Sequence, residues 1–288
     1  MKSKRLNKLW ILLTFYILFF NSCIQSKLIY SDNTYSDEMI EKWQKERDSI
    51  NALNKAVSDI NPYNFTDRIR LENKPENVYR IAVLGDSWIY GDGIYYKKTW
   101  SHLLEDKIME RYPHVEVLSW GLCGWSTKQQ YNFYEKYGYK YQIDLIIVGF
   151  VENDPYLGNR CQPADSWQWQ KDLYAEENLE KYSELIKDFD LFVKQQNADL
   201  IFVLTPLAAD SIRIAWNNAI KSILDHAGID YLDLYPAFIS EFKNFEHERL
   251  MISPINSHPG ELLNLFFMNK TFVYLKSKKY LKNGTTAK

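Results

Sequence analysis

Four short polar segments of this 288-residue sequence carry side chains that together could perform acyl transfer. They contain Ser87, Gly124, Asn153 and His258. A serine hydroxyl is a weak nucleophile until a base removes its proton, and imidazole suits that role because its pKa lies near neutrality. The tetrahedral intermediate of acyl transfer needs N–H donors for its oxyanion, which the backbone of Ser87 and Gly124 and the amide of Asn153 could supply.

The elements that must position these residues follow from hydrophobic patterning. Short apolar runs predict strands, and the intervening amphipathic patterns predict helices. The predicted strands are 79–84, 115–118, 145–150, 200–204 and 231–234, and the predicted helices are 99–111, 126–138, 177–196, 210–226 and 259–281. This alternation is typical of an α/β fold with a parallel sheet of about five strands between two helical layers. Ligands of such sheets bind beyond the carboxyl ends of the strands, where three of the polar segments begin.

The loop that contains Gly124 has its own sequence signal. Ser126 and Gln129 match an S-x-x-Q capping box, which predicts that a helix begins directly after the loop. The positive end of that helix dipole favours negative charge. The pattern therefore supports an anion-stabilising role for this loop.

The four segments, in this order and at this spacing, resemble the blocks of the SGNH (GDSL) hydrolase family over residues 76–282. The resemblance implies a flavodoxin-like three-layer sandwich and a serine esterase or deacylase without a cofactor. It also implies that Ser87 is the nucleophile, that His258 is the general base, and that Ser87, Gly124 and Asn153 form the oxyanion hole. The sequence contains neither H-E-x-x-H nor C-x-x-C, which argues against a metal site.

Two positions depart from the family pattern. Val151 stands where the third block usually has glycine, and Ile255 stands where the family generally has the aspartate that orients the histidine. Three interpretations follow. Asn256 or a backbone carbonyl orients His258 in a Ser–His dyad, or an acid from elsewhere, such as Glu246 or Glu248, reaches His258, or activity is lost or residual. In a serine protease, replacing the aspartate by asparagine costs about ten-thousand-fold because the wrong tautomer is favoured.

The N-terminus has the pattern of an export signal. Four basic residues precede an apolar stretch over 9–20, which is too short to span a bilayer. Ser22 and Cys23 then resemble a bacterial lipoprotein signal, which implies lipidation of Cys23 and a membrane-anchored location in the cell envelope, either periplasmic or surface-facing. Ordinary secretion and an uncleaved anchor are the alternatives. Removal of residues 1–22 would leave a net charge of −6.

Residues 23–75 are predicted to form a tether and a stalk helix, followed by a hydrolase domain over 76–288. The helix is expected over 36–60, with an apolar stripe formed by Met39, Trp43, Ile50, Leu53, Val57 and Ile60. It could pack on the domain or form a dimer contact. The oligomeric state does not follow from the sequence.

Composition limits the partners. The whole chain has 37 acidic and 35 basic residues, so it lacks the positive charge that a nucleic-acid partner normally requires. A long segment over 156–178, rich in aromatic residues, is expected to be irregular and to overhang the site, either contacting substrate or packing on the surface. Cys123 and Cys161 could form a disulfide that holds this segment to the Gly124 loop, or could remain thiols.

The substrate class stays open at this stage. Acetylated sugars, lysophospholipids and acyl thioesters all fit the predicted chemistry. An O-acyltransferase that acts on envelope polysaccharide with the same serine, and an inactive module that binds glycans, are the alternatives to a hydrolase.

Overall fold

The computed structural model describes residues 35–159 and 167–281. Its main sheet has five strands in the order β2-β1-β3-β4-β5, all parallel. The strands are β1 (Tyr79–Gly85), β2 (Val115–Gly121), β3 (Leu145–Phe150), β4 (Asp199–Leu204) and β5 (Asp230–Asp233). This order is the flavodoxin-like one. The prediction of an α/β fold with a five-stranded parallel sheet is confirmed.

Helices cover both faces of the sheet. They are α1 (Asp37–Ser58), α2 (Ser87–Tyr90), α3 (Trp100–Met109), α4 (Thr127–Lys136), α5 (Trp167–Leu173), α6 (Glu176–Gln195), α7 (Ser211–Ala227), α8 (Tyr235–Phe242) and α9 (Glu261–Ser277). Helices α3, α8 and α9 pack on one face, and α4, α6 and α7 pack on the other. The predicted helices correspond to α1, α3, α4, α6, α7 and α9, whereas α2, α5 and α8 were not predicted.

The strands are nearly continuously apolar because both of their faces are buried. In β1, Ile81 and Val83 belong to the core beneath α3 and α9. Ala82 and Leu84 belong to the opposite core beneath α4 and α6. Alternate side chains of a strand point to opposite faces, so a strand in the middle layer needs apolar residues at every position.

The sheet brings the predicted site segments to one edge. β1 pairs with β2 on one side and with β3 on the other, so the direction of the strand order reverses at β1. Gly85 pairs with Gly121, and Leu84 pairs with Val148, so the three strands end at nearly the same level. A crevice beyond the carboxyl ends of strands at such a reversal is where open α/β sheets bind ligands.

Helix α1 packs on the domain, and only part of the predicted apolar stripe faces it. Met39, Leu53 and Ile60 are all exposed. The buried face instead runs through Asn54 and Ser58. The other stripe residues, Trp43, Ile50 and Val57, are half-buried. Polar side chains of α1 also satisfy backbone groups of the loop beneath the helix.

The segment after α1 is fixed to the edge strand β2. Arg70 donates to the carbonyl oxygen of Val117 at 2.8 Å, and the carboxylate of Asp67 accepts from the N–H of Ser119 at 3.1 Å. Arg70 and Asp67 also pair with each other at 2.9 Å. These contacts attach the N-terminal region to the sheet independently of α1.

A two-stranded antiparallel hairpin, β6 (Met251–Ser253) and β7 (Asn256–Pro259), precedes α9. It was not predicted. In residues 35–159 and 167–281, no helix is long and apolar enough to cross a membrane. The predicted signal, Cys23 and Cys161 lie outside the described residues, so the lipid anchor and the disulfide stay predictions.

Candidate active site

Ser87 is the first residue of α2, directly after β1. Asp86 caps this short helix, since its carboxylate accepts from the N–H of Trp88 at 2.9 Å. The helix ends after one turn at Gly91, which adopts the left-handed conformation with φ of 91°. The hydroxyl group of Ser87 is therefore presented at a tight turn above the sheet edge.

The turn depends on two glycines at the ends of neighbouring strands. A Cβ atom on Gly85 would lie 2.3 Å from Cγ1 of Ile89. A Cβ atom on Gly121 would lie 2.8 Å from the carbonyl oxygen of Asp86. The absence of side chains at both positions lets α2 sit directly on the ends of β1 and β2.

His258 reaches Ser87 from the hairpin. Its Nε2 lies 2.8 Å from Oγ of Ser87, and its Nδ1 lies 2.6 Å from Oδ1 of Asn256. A carbonyl oxygen can only accept a hydrogen bond, so Nδ1 carries the proton in this pair. In the neutral ring, Nε2 is then unprotonated and accepts the hydroxyl proton of Ser87, which is the tautomer that a general base requires.

Two neighbours fix the orientation of the Asn256 amide. The backbone N–H of His258 donates to Oδ1 of Asn256 at 3.1 Å. The Nδ2 group of Asn256 donates to the carbonyl oxygen of Asp92 at 3.4 Å. Because its nitrogen faces an acceptor and its oxygen faces a donor, the amide presents its oxygen to the imidazole.

Asp86 is a buried acid beside the Ser87–His258 pair. Burial raises the pKa of its carboxyl group to about 6, against the opposing effects of the Trp88 N–H, the nearby His258 and a hydrogen bond from the side chain of Asn153. The bond to Asp86 ties the Asn153 loop to the start of α2. It brings Asn153 to the residue next to Ser87.

A second buried acid, Asp154, joins the loop after β3 to the start of α4. Its carboxylate accepts from Thr127 at 3.1 Å, from Gln130 at 3.0 Å and from the N–H of Val151 at 2.7 Å. Burial and the proximity of Asp86 raise the pKa of Asp154 well above its ordinary value. Val151, the departure from the family glycine, is itself buried and fits this turn.

Gly124 lies in the loop between β2 and α4, in the left-handed conformation with φ of 74°. The predicted capping box of Ser126 and Gln129 at the start of α4 is confirmed. The structure thus brings the loops of Gly124 and Asn153 to the edge that carries Ser87. Their part in an oxyanion hole stays a prediction.

The structure also contains a site residue that sequence reasoning missed. Oδ2 of Asp92 lies 3.9 Å from Nε2 of His258. The N–H of Asp92 donates to the carbonyl oxygen of Ser87 at 3.1 Å. Asp92 stands five residues after Ser87, and no local pattern of the sequence marks it as part of the site.

The structure does not bring Glu246 or Glu248 to His258. Both side chains are exposed, and Glu248 accepts a hydrogen bond from Tyr35 at 2.7 Å. Within the described part of the chain, the carboxylate that pairs with the His258 ring is that of Asp92.

The segment over 156–178 is less irregular than expected, since α5 lies within it. Tyr174 stacks on Trp216 with ring centroids 4.5 Å apart and donates to the carbonyl oxygen of Glu152 at 2.8 Å. Trp169 packs against Tyr156 with centroids 5.7 Å apart. Tyr174 thus packs against the domain, whereas Trp169 and Tyr156 pair within the segment. Residues 160–166 lie outside the described part.

Solved structures with the same fold include an acetylxylan esterase, Axe2, from Geobacillus stearothermophilus. It is 14% identical, with a TM-score of 0.51, covering 69% of this chain and 93% of that chain. LAE5, an alpha/beta hydrolase enzyme from the metagenome of Lake Arreo, Spain, is 14% identical, with a TM-score of 0.52, covering 74% of this chain and 100% of that chain. A comparison with curated protein sequences found no match.

The model of one protein family matches residues 83–255, which is more than half of the chain. The match includes Ser87, Gly124 and Asn153, and it ends just before Asn256 and His258. Helix α1 lies outside it. On this match the chain belongs to the GDSL-like lipase/acylhydrolase family and is an ester-hydrolysing enzyme.

Proposed function

We propose that this enzyme hydrolyses carboxylic esters through an acyl-enzyme formed on Ser87. The observation that supports this most strongly is the continuous hydrogen-bonded chain from Ser87 Oγ to His258 Nε2 at 2.8 Å and from His258 Nδ1 to Asn256 Oδ1 at 2.6 Å. These distances lie within the range in which a base can take the proton of a nucleophile.

In the first step, Oγ of Ser87 attacks the ester carbonyl carbon while its proton passes to Nε2 of His258. The carbonyl oxygen becomes an oxyanion, and the imidazole becomes an imidazolium. Asn256 keeps Nδ1–H in place, so the ring does not rotate away as it gains charge. The N–H groups of Ser87 and Gly124 and the amide of Asn153 would stabilise the oxyanion.

The intermediate then collapses. The bond between the carbonyl carbon and the alkoxy oxygen breaks, and His258 gives its proton to the leaving alcohol. A water molecule next attacks the acyl-enzyme, and His258 again takes and returns one proton. The products are one alcohol and one carboxylic acid, and the enzyme returns to its starting state.

We propose an acetyl ester on a carbohydrate as the substrate class. Support comes from the neighbouring structure described as an acetylxylan esterase. A chain-length series of p-nitrophenyl esters tests it, because a preference for acetyl over octanoyl esters is expected. An enzyme that acts on lysophospholipids would show the opposite order.

We also propose that the enzyme is anchored to the cell envelope by a lipid on Cys23. This rests on the basic segment, the short apolar stretch and the Ser22–Cys23 pair at the N-terminus. An exported location also brings the enzyme to acylated glycans of the envelope.

A fluorophosphonate probe tests the proposed function directly. Wild type should be labelled and should hydrolyse p-nitrophenyl acetate, and Ser87→Ala should lose both properties. Ser240→Ala is the matched control, because Ser240 is exposed on α8. Absence of labelling in wild type would favour a binding module. Transfer of acetyl to added oligosaccharide without release of acetate would favour an acyltransferase.

A further inference from the structure

Helix α1 touches the loop that follows Ser87, and the contact has a consequence for catalysis. We propose that Asp92 supplies the negative charge that Asn256 cannot, and that Asn51 of α1 holds Asp92 in position. This inference rests on the proposed function. It adds a catalytic carboxylate and a positioning residue from a helix that lies outside the residues matched by the family model.

The position of Asp92 suits this role. Its carboxylate lies 3.9 Å from Nε2 of His258, the atom that receives the proton of Ser87. Both side chains are mostly buried, with exposed fractions of 25% for His258 and 22% for Asp92, so water screens their attraction only in part. The imidazolium formed during attack on the ester is therefore stabilised next to its new proton.

Asn51 forms two hydrogen bonds to the loop that contains Asp92. Its Nδ2 group donates to Oδ1 of Asp92 at 2.6 Å, and its Oδ1 accepts from the N–H of Gly93 at 2.8 Å. The bond to Oδ1 leaves Oδ2 of Asp92 directed to His258. Asn51 thus fixes which carboxylate oxygen faces the base.

Asn54, one turn further along α1, secures the same loop. Its Nδ2 group donates to the carbonyl oxygens of Gly91 and Ile94, both at 2.8 Å, and its Oδ1 accepts from the N–H of Tyr96 at 3.0 Å. Asn54 is fully buried. The loop that carries Asp92 is therefore built against α1 on both sides of the carboxylate.

The other groups around His258 do not replace Asp92. Asp86, at the start of α2, contributes negative charge when it is ionised, but its burial raises its pKa to about 6. Asn256, on the hairpin, is neutral. Arg47, on α1, lies beside Gly93, but its guanidinium group pairs with Asp48 at 3.2 Å.

The test is Asp92→Asn, which keeps the shape of the side chain and removes its charge. We expect kcat/KM for p-nitrophenyl acetate to fall at least about tenfold. The acid limb of its pH profile should move to lower pH, because the imidazolium loses a neighbouring negative charge. Glu41→Gln removes an exposed charge from α1 about three turns before Asn51, and it should leave both kcat/KM and the acid limb unchanged.

Asn51→Ala tests the positioning role. It should lower kcat/KM less than Asp92→Asn does and should move the acid limb in the same direction. The double variant should be no worse than Asp92→Asn alone, since a positioning residue acts only through the group that it positions. Additive losses would assign Asn51 a separate structural role and would overturn that part of the inference.

An NMR titration of the His258 ring gives a readout that does not need turnover. In Asp92→Asn, the ring should lose its second proton at lower pH than in wild type. If the His258 ring titrated at the same pH in Asp92→Asn and in wild type, the role of Asp92 would be overturned. Failure of wild type to label with fluorophosphonate would instead count against the proposed function, and the titration would still decide whether Asp92 acts on His258.

Discussion

At the scale of single residues, an uncharged amide occupies the place where a carboxylate is expected. In a serine protease, the same replacement is costly because the asparagine favours the wrong imidazole tautomer. Here, the N–H of His258 and the carbonyl oxygen of Asp92 hold the amide with its oxygen toward Nδ1. The orienting function of a triad acid is therefore kept by geometry, whereas its charge is not.

Removal of this amide should be costly. Asn256→Ala leaves Nδ1–H of His258 without its acceptor, so the ring can rotate or adopt the other tautomer. We expect kcat/KM for p-nitrophenyl acetate to fall by about a hundredfold or more. Asn269→Ala, an exposed asparagine on α9, is the matched control. Wild-type turnover in Asn256→Ala would show that other groups orient the ring.

Asp86 should make stability depend on pH. Burial raises the pKa of Asp86 from 3.8 to about 6, so its ionisation opposes folding. The stability associated with the neutral carboxyl group is present below about pH 4 and is lost as the pH rises through about 6. The free energy of unfolding of Asp86→Asn relative to wild type should therefore be higher at pH 7.5 than at pH 4.5, by up to about 2 kcal/mol.

Urea unfolding of both proteins at the two pH values measures this difference. Asp188→Asn is the control, because Asp188 is exposed in the middle of α6. Its free energy of unfolding relative to wild type should not change with pH. An equal difference for Asp86→Asn at both pH values would mean that folding does not raise the pKa of Asp86.

At the scale of elements, α1 is held on the domain by polar contacts. Asn54→Ala removes three hydrogen bonds and leaves the buried carbonyl oxygens of Gly91 and Ile94 without that donor. We expect the free energy of unfolding to fall by about 2 to 4 kcal/mol. Leu53→Ala, at a side chain that is 59% exposed, should cost less than about 0.5 kcal/mol. If both variants lowered the free energy of unfolding by the same small amount, the hydrogen bonds of Asn54 would not stabilise the packing of α1.

The elements differ in how far sequence could predict them. Strands β1, β3 and β4 were predictable because burial on both faces demands an unbroken apolar run. The hairpin could not be predicted, because a strand as short as Met251–Ser253 has too few residues to show an alternation of apolar and polar side chains. Helix α8 had a start signal in Pro236 at its first turn, but its apolar residues run on from the preceding strand.

The candidate site was predictable to the same limited extent. Ser87, Gly124 and Asn153 follow strands, so local pattern and the rule for sheet edges place them together. The contact between Asn51 and Asp92 joins residues that are 41 positions apart, and neither residue has a local pattern that indicates the other. Apolar periodicity predicted only part of the contact face of α1, because hydrogen bonds of Asn51 and Asn54 form its centre.

At the scale of the whole molecule, net charge bears on the proposed attachment to a membrane. Removal of residues 1–22 leaves a net charge of −6, so anionic head groups would repel rather than attract the mature protein. Under the proposed lipidation, attachment would come from acyl chains on Cys23, and each methylene buried in the bilayer would contribute about 0.8 kcal/mol.

We therefore expect wild type in the membrane fraction, released by detergent but not by high salt. Cys23→Ser should move to the soluble fraction and should lose incorporation of labelled palmitate. Cys123→Ser, which removes the cysteine of the Gly124 loop, should remain with the membrane. Release of wild type by salt alone would point to a charged protein partner. Equal membrane retention of Cys23→Ser would point to an uncleaved N-terminal anchor in place of the lipid.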